Sequence, residues 1–227
     1  MNTRGLLDQL LKSGQQLLDS KTGTSKAGGT AGGLGGLLSG AGGGLLGGGA
    51  LGLLLGNKKA RKYGGKALTY GGLAALGVLA YKAYGNWQAS QQLAASEPQT
   101  VDRLPPAQAE QHSQAVLRAL VAAAKSDGHI DERERALIEG EFTRLDSDPE
   151  LQHWLHAELN KPLDPAEVAR AAQTPEIAAE MYLASVMMVD QENFMERAYL
   201  DELARQLRLA PGLRQELESQ ARLAAGQ

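Results

Sequence analysis

Glycine recurs at every fourth position through residues 27–57, a stretch of 31 residues near the amino terminus that contains no charged side chain. Residues four apart share one face of an α-helix, so the repeat leaves a groove without side chains. In lipid, such a groove lets another helix pack closely, whereas in water each Gly costs a helix about 1 kcal/mol relative to Ala. The repeat therefore predicts a membrane-associated segment that self-associates through Gly28, Gly32, Gly36, Gly40, Gly44, Gly48, Gly52 and Gly56. A flexible Gly/Leu linker is the alternative.

A second apolar stretch, residues 63–87, predicts a short transmembrane helix. Its charge-free part, residues 67–81, reaches only about 22 Å as a helix, against a hydrocarbon core of about 30 Å. The flanking Lys66 and Lys82, together with nearby Tyr and Trp side chains, would complete the span at the two interfaces. A helix buried inside a protein core is the alternative, but no other apolar element in this part of the sequence offers an obvious cover.

Two further segments connect these regions to the rest of the chain. Residues 1–20 have Leu at three-to-four spacing and predict an amphipathic helix that lies on a membrane or on a partner. Residues 88–106 are polar and end in Pro, which predicts a tether between the membrane region and the carboxyl-terminal part of the chain.

Charge divides the chain in two. Residues 1–85 carry 10 Lys and Arg against 2 Asp and Glu, whereas residues 86–227 carry 13 against 24. The acidic part argues against nucleic acid as a partner, because phosphate would be repelled. The absence of Cys excludes disulfides, thiolate metal sites and a Cys nucleophile. Basic residues before the predicted span favour a cytoplasmic amino terminus and a carboxyl-terminal part that faces outward, although an acidic, Cys-free part suits the cytoplasm equally.

Residues 107–224 predict a compact all-α bundle of seven helices. Pro follows an Asp or Thr at three of the predicted starts, which is the combination of N-cap and first helical residue that favours a helix. Asn193, with Glu196 three residues later, has the spacing of a capping box. The predicted helices cover about 107–126 and 131–146, begin near 149 and 165, cover about 175–189, and begin near 193 and 211.

One motif in this bundle carries possible metal chemistry. Asp127, Asp131 and Glu134 have the spacing of the second half of a calcium-binding helix-loop-helix, but Ala123 and Lys125 stand where the leading ligands belong. The motif therefore predicts at most a weak site for a divalent cation. The alternative is structural, with Asp131 as an N-cap and Glu134 as its capping-box partner.

The stretches AAAKSDGHIDERERALIE and MVDQENFMERAYLDELARQLRL resemble the TerB-like domain named from bacterial tellurite-resistance operons. The whole layout resembles the YebE-type family of inner-membrane proteins of unknown function. This resemblance implies an internally duplicated helical domain whose acidic residues bind cations, and Asp127, Asp131 and Glu134 match that motif. Phe194 departs from an acidic second copy, and the chain lacks the His-Pro-Asp tripeptide of related co-chaperones.

These observations favour an inner-membrane protein. We expect it to be non-enzymatic, because no pair of nucleophile and base is visible in the sequence. Its TerB-like domain is expected to act as an interaction or stress- and ion-sensing module, with membrane lipids, further copies of the chain and an unknown protein as partners. The alternative is a soluble ion-handling or stress protein in which the glycine-rich segment is only a linker.

Overall fold

A computed structural model describes residues 2–8, 67–91, 97–127, 132–145, 148–189 and 193–225. These ranges are all-helical and contain no strand. Residues 3–8 form a short helical segment. The other helices of the described ranges are α1 (Ala67–Ser90), α2 (Pro106–Ala124), α3 (Glu132–Leu145), α4 (Pro149–Asn160), α5 (Pro165–Ala169), α6 (Pro175–Met188), α7 (Phe194–Gln206) and α8 (Pro211–Ala225).

The seven helices predicted between residues 107 and 224 are confirmed as α2 to α8. Local capping chemistry explains why they begin where the sequence indicates. The side chains of Asp148, Asp164 and Thr174 each accept a hydrogen bond from a backbone N–H two or three residues later, and Pro follows each of them. Asn193 also caps its helix, by accepting from the Met195 amide at 2.9 Å.

Helix α6 lies at the centre of the bundle, since every residue from Ile177 to Met188 is buried. Helix α2 packs against α6, and α1 and α8 pack against each other and against α6. A helix with apolar side chains on every side must be packed against other elements on every side, which explains why α1, α2 and α8 surround α6.

The transmembrane assignment of residues 63–87 is not confirmed. Helix α1 exists, but it is part of the bundle, with Leu73, Leu76, Ala80 and Ala83 buried where it packs on α6 and α8. None of the helices in the described ranges combines the length and the apolar character that crossing a membrane requires. Two helices from the far end of the chain, α6 and α8, provide cover for α1.

The predicted tether, residues 88–106, also differs from the structure. Helix α1 continues to Ser90, and the described residues 97–105 pack onto the bundle, with Thr100 and Val101 buried. Gly77 of α1 permits this close packing. A Cβ added at Gly77 would lie 2.5 Å from Asp102 Oδ1 and 2.9 Å from the Asp102 amide nitrogen.

Residues 2–8 form what we call the N-terminal hook, which docks on the bundle. Leu6 and Leu7 are buried, and the amides of Thr3 and Arg4 donate to the two carboxylate oxygens of Glu110 on α2, at 2.6 and 3.1 Å. The first residues of the predicted amphipathic helix 1–20 therefore pack on the helical bundle of the same chain. The remainder of that helix and the glycine repeat from Gly28 to Gly56 lie outside the described residues.

Candidate functional site

A groove of about 620 Å³ opens between the end of α1, the connection from α5 to α6, the end of α7 and the start of α8. Tyr84 and Trp87 of α1 form one wall, with their rings 5.5 Å apart in an edge-to-face arrangement. Leu213 of α8 adds apolar surface. Burial, and secondarily the carboxylate of Glu176, raises the pKa of the Tyr84 phenol, which therefore stays neutral.

Two arginines line the same groove, Arg170 after α5 and Arg208 after α7. Both are exposed, and neither forms an ion pair with any residue in the ranges that the structure describes. By contrast, Arg118 is held by Glu158, and Arg214 by Asp201 and Glu218. The groove therefore combines aromatic surface with two exposed positive charges, and we call it the aromatic–arginine groove.

The backbone conformation of Arg208 is unusual. Its φ is +54°, in the left-handed region where Gly is the favoured residue. The position ends α7 with the double hydrogen bond of a Schellman motif, from the Leu209 amide to the Ala204 carbonyl and from the Arg208 amide to the Arg205 carbonyl. Relative to Gly, Arg in this backbone conformation lowers the free energy of unfolding by roughly 1 kcal/mol, so the reason for Arg at this position lies in its side chain.

We expect Arg208→Gly to raise the free energy of unfolding by about 1 kcal/mol, because Gly adopts the left-handed conformation without strain. Arg205→Gly, three residues earlier and inside α7, should instead lower it by about 1 kcal/mol. Urea denaturation followed by circular dichroism measures both. A loss of stability in Arg208→Gly would show that the Arg208 side chain contributes to the fold rather than to the groove.

A second cluster of ionisable groups is fully internal. Glu180 of α6 has no exposed surface, its Oε1 accepts from the Val101 amide at 2.6 Å, and its Oε2 lies 2.6 Å from Nδ1 of the buried His112. Burial raises the pKa of the Glu180 carboxyl, against the opposing effect of His112. The cluster joins α2, α6 and the segment before α2, so its role is structural.

A third cluster surrounds the end of α4. The Lys125 ammonium donates to the backbone carbonyls of Glu158 and Lys161, which close the carboxyl end of that helix. Burial lowers the pKa of Lys125, and the neighbouring Glu158 carboxylate opposes this effect. Glu158 is in turn paired with Arg118 and Lys161. These charged groups are therefore paired with one another. The cavity lined by Lys125, Glu158 and Lys161 has a volume of about 10 Å³, which is room for no more than one water molecule.

The cation-binding residues expected from the sequence are only partly described. Asp127 is exposed, just beyond the end of α2. Asp131 lies outside the described residues, and for Glu134 only the backbone, within α3, is described. Among the described side chains, no three His, Cys, Asp or Glu come together as a metal would need. The divalent-cation site stays a prediction.

Sequence reasoning misses the aromatic–arginine groove. Tyr84 and Trp87 have the placement typical of a membrane interface, and Arg170 and Arg208 are isolated charges without a motif. The groove forms only because α1 lies beside α8, and no local pattern encodes that contact. The one usable signal is Arg208 itself, which follows the C-cap Leu207 of α7, at the position where a helix commonly has Gly.

Comparisons with known proteins point to a family rather than to an activity. A family model described as a protein of unknown function (DUF533) matches residues 40–221. The chain is also similar to a protein of Yersinia enterocolitica described as an uncharacterized protein in the ampR 5′ region. The two are 35% identical over 126 residues, which cover 56% of this chain and 89% of that protein. No solved structure matches the chain.

Proposed function

Since this chain belongs to the DUF533 family of proteins of unknown function, we propose its role from its own residues: a non-enzymatic protein of the bacterial inner membrane whose helical bundle binds a partner protein. The aromatic–arginine groove carries the proposal. The resemblance of residues 122–139 to TerB-like domains, and of the layout to the YebE-type family, supports an interaction or sensing role.

The groove suits an acidic segment that also carries apolar side chains. Arg170 and Arg208 have no ion-pair partner in the described part of the chain, although residues 86–227 hold 24 Asp and Glu against 13 Lys and Arg. Guanidinium groups bind carboxylates through two parallel hydrogen bonds, so each could take one acidic side chain. Trp and Tyr contribute large contact areas in protein interfaces, which gives the apolar part of such a segment a surface to cover.

Anilinonaphthalene sulfonate, an aromatic anion, is a suitable probe of the groove. We expect Arg170→Gln and Arg208→Gln each to weaken its binding to the full chain about tenfold, equivalent to about 1.4 kcal/mol. Arg222→Gln removes an exposed arginine outside the groove and is the matched control. Fluorescence titration measures the affinities. Equal affinities in all four proteins would remove the groove as an anion site.

Membrane association rests on the glycine repeat. We expect membrane crosslinking to trap oligomers of the wild-type chain, and Gly36, Gly40, Gly44 and Gly48→Leu to abolish them, because Leu fills the packing groove. Replacing Gly29, Gly33, Gly43 and Gly47 with Leu adds the same bulk outside the four-residue period and should leave the oligomers. Identical patterns in the two variants would contradict packing through the repeat.

One observation favours the alternative, a soluble ion-handling or stress protein. Helix α1, which contains the charge-free residues 67–81, buries its apolar side chains inside the bundle. Extraction of membranes with alkaline carbonate separates the two hypotheses, because an inserted chain stays in the membrane pellet. Recovery of the chain in the supernatant would support the alternative.

A further inference from the structure

Helix α7 begins with two large apolar side chains that lie in solvent. Phe194 is 78% exposed and Met195 is 55% exposed. In the ranges that the structure describes, the other large apolar side chains that are exposed are Val78 on α1 and Leu223 on α8, each on its own. Exposed apolar residues that adjoin one another mark a contact surface, whereas scattered single ones are ordinary. We call Phe194 and Met195 the α7 knob.

Neither helix capping nor the core accounts for the α7 knob. Helices α2, α4, α5, α6 and α8 all begin with Pro, and the second residue of α4 and of α6 is Glu, as the start of a helix favours. Helix α7 has Phe and Met at the two corresponding positions. Asn193 caps the helix through the backbone amide of Met195, a contact that does not use its side chain. Only contact with another molecule would remove this apolar surface from water.

The aromatic–arginine groove lies at the opposite end of the same helix. Gln206, Leu207 and Arg208 line it, and no earlier residue of α7 does. The helix has 13 residues, which separates its two ends by about 20 Å. Helix α7 is also fixed by packing on α5 and α6. The α7 knob therefore cannot enter the groove of its own copy.

We infer that the α7 knob of one copy of this chain occupies the aromatic–arginine groove of a second copy. The inference rests on the proposed function, in which the groove binds a protein, and it names that protein. Tyr84, Trp87 and Leu213 give the groove an apolar wall against which Phe194 and Met195 pack. Its volume of about 620 Å³ lies in the range of pockets that hold a drug-sized molecule, so both side chains have room.

Charge also favours a second copy as the occupant. Arg170 and Arg208 have no ion-pair partner in the described part of their own chain. Residues 86–227 carry 24 Asp and Glu against 13 Lys and Arg, so a second bundle brings an excess of carboxylates to the two guanidinium groups. Apolar burial and charge thus act in the same direction.

The contact is head-to-tail, because knob and groove are different surfaces at opposite ends of α7. An apolar patch that fits a pocket elsewhere on the same molecule gives a heterologous contact, in which every copy is both donor and acceptor. Each added copy leaves one knob and one groove free at the two ends. The assembly therefore extends until its rotation closes it into a ring.

The chain has no natural Cys, so single introduced thiols report this contact. Met195→Cys places a thiol on the knob and keeps Phe194, and Gln173→Cys places one on the exposed rim of the groove. The two full-length variants, with different affinity tags, are produced in the same cells, and the lysate is oxidised with copper phenanthroline. We expect a disulfide-linked heterodimer, because a disulfide forms only where two Cβ atoms come within about 4.5 Å of each other.

Two matched variants make the result specific to the knob. Leu223→Cys in place of Met195→Cys puts the thiol at another exposed apolar position, outside both surfaces, and should not form the heterodimer with Gln173→Cys. Oligomers held by the glycine repeat would raise both yields alike. Adding Phe194→Ala to Met195→Cys should lower the yield of heterodimer about tenfold, since aromatic anchors dominate such contacts.

The outcomes separate this inference from the proposed function. A heterodimer yield no higher than that of the Leu223→Cys control overturns the second copy as the occupant. So does equal crosslinking of Met195→Cys to itself, which indicates a symmetric contact between two knobs. If the dye titration still shows weaker binding by Arg170→Gln and Arg208→Gln, the groove is then the site of a different protein. If the heterodimer forms but all four dye affinities are equal, the anion site is overturned and the contact between copies stands.

Discussion

Replacing Glu180 with Ala is expected to lower the free energy of unfolding by about 3–5 kcal/mol, because it leaves two buried polar groups without a partner. The Val101 amide and the His112 imidazole each lie 2.6 Å from a Glu180 oxygen, and Glu180 itself is fully buried. Urea denaturation of the full chain, followed by circular dichroism, measures the loss.

Glu180→Gln is the matched control. Its amide has nearly the same shape, its oxygen can still accept from Val101, and its nitrogen can donate to an unprotonated His112 Nδ1. We expect a change smaller than about 1.5 kcal/mol, because the variant keeps both hydrogen bonds and buries no charge. If Gln proved as damaging as Ala, the carboxylate charge, rather than the hydrogen bonds, would be what holds these elements together.

The stability of the wild-type protein and that of Glu180→Gln should also depend differently on pH. Burial raises the pKa of Glu180 above its ordinary value of 4.5, so the folded state binds this proton more tightly than the unfolded state does. Protonation of Glu180 therefore contributes to the free energy of unfolding below pH 4.5, and this contribution is lost as the pH rises through the folded-state pKa. Gln does not titrate, so Glu180→Gln should gain stability relative to wild type as the pH rises through this window.

Replacing Gly77 with Leu is expected to lower the free energy of unfolding by about 3 kcal/mol, through overpacking. Even a Cβ at this position would lie 2.5 Å from Asp102 Oδ1 and 2.9 Å from both the Asp102 amide nitrogen and Val101 Cγ1. The side chain would push residues 100–102 away from α1, and with them the amide that Glu180 binds. Thermal and urea unfolding of the full chain measure the effect.

Gly85 lies on the same helix, and a Cβ there would meet no atom within 4 Å. Gly85→Ala should therefore raise the free energy of unfolding by about 1 kcal/mol through helix propensity alone. Gly77→Ala has the same gain in propensity but suffers the clash, so the two alanine variants should change stability in opposite directions. A gain in both would show that residues 100–102 are not seated on α1.

Helix positions were predictable because their signals are local. Asp148, Asp164 and Thr174 each precede a Pro, and each caps its helix through hydrogen bonds that span only two or three residues. The acidic motif near Asp127 also lies between two correctly predicted helices. Its chemistry stays open at the level of sequence, because capping and cation binding use the same residue types at the same spacing.

The sequence by itself determined the all-α class of the described residues, the seven helices from α2 to α8 and the division between a basic glycine-rich part and an acidic part. Only the tertiary structure decided that α1 is a core helix, that the N-terminal hook returns to Glu110, and that Arg170 and Arg208 share a groove with Trp87. An apolar helix face lowers its free energy equally well against lipid or against another helix. The choice therefore depends on whether a matching face exists elsewhere in the chain, and α8, more than 120 residues away, supplies it.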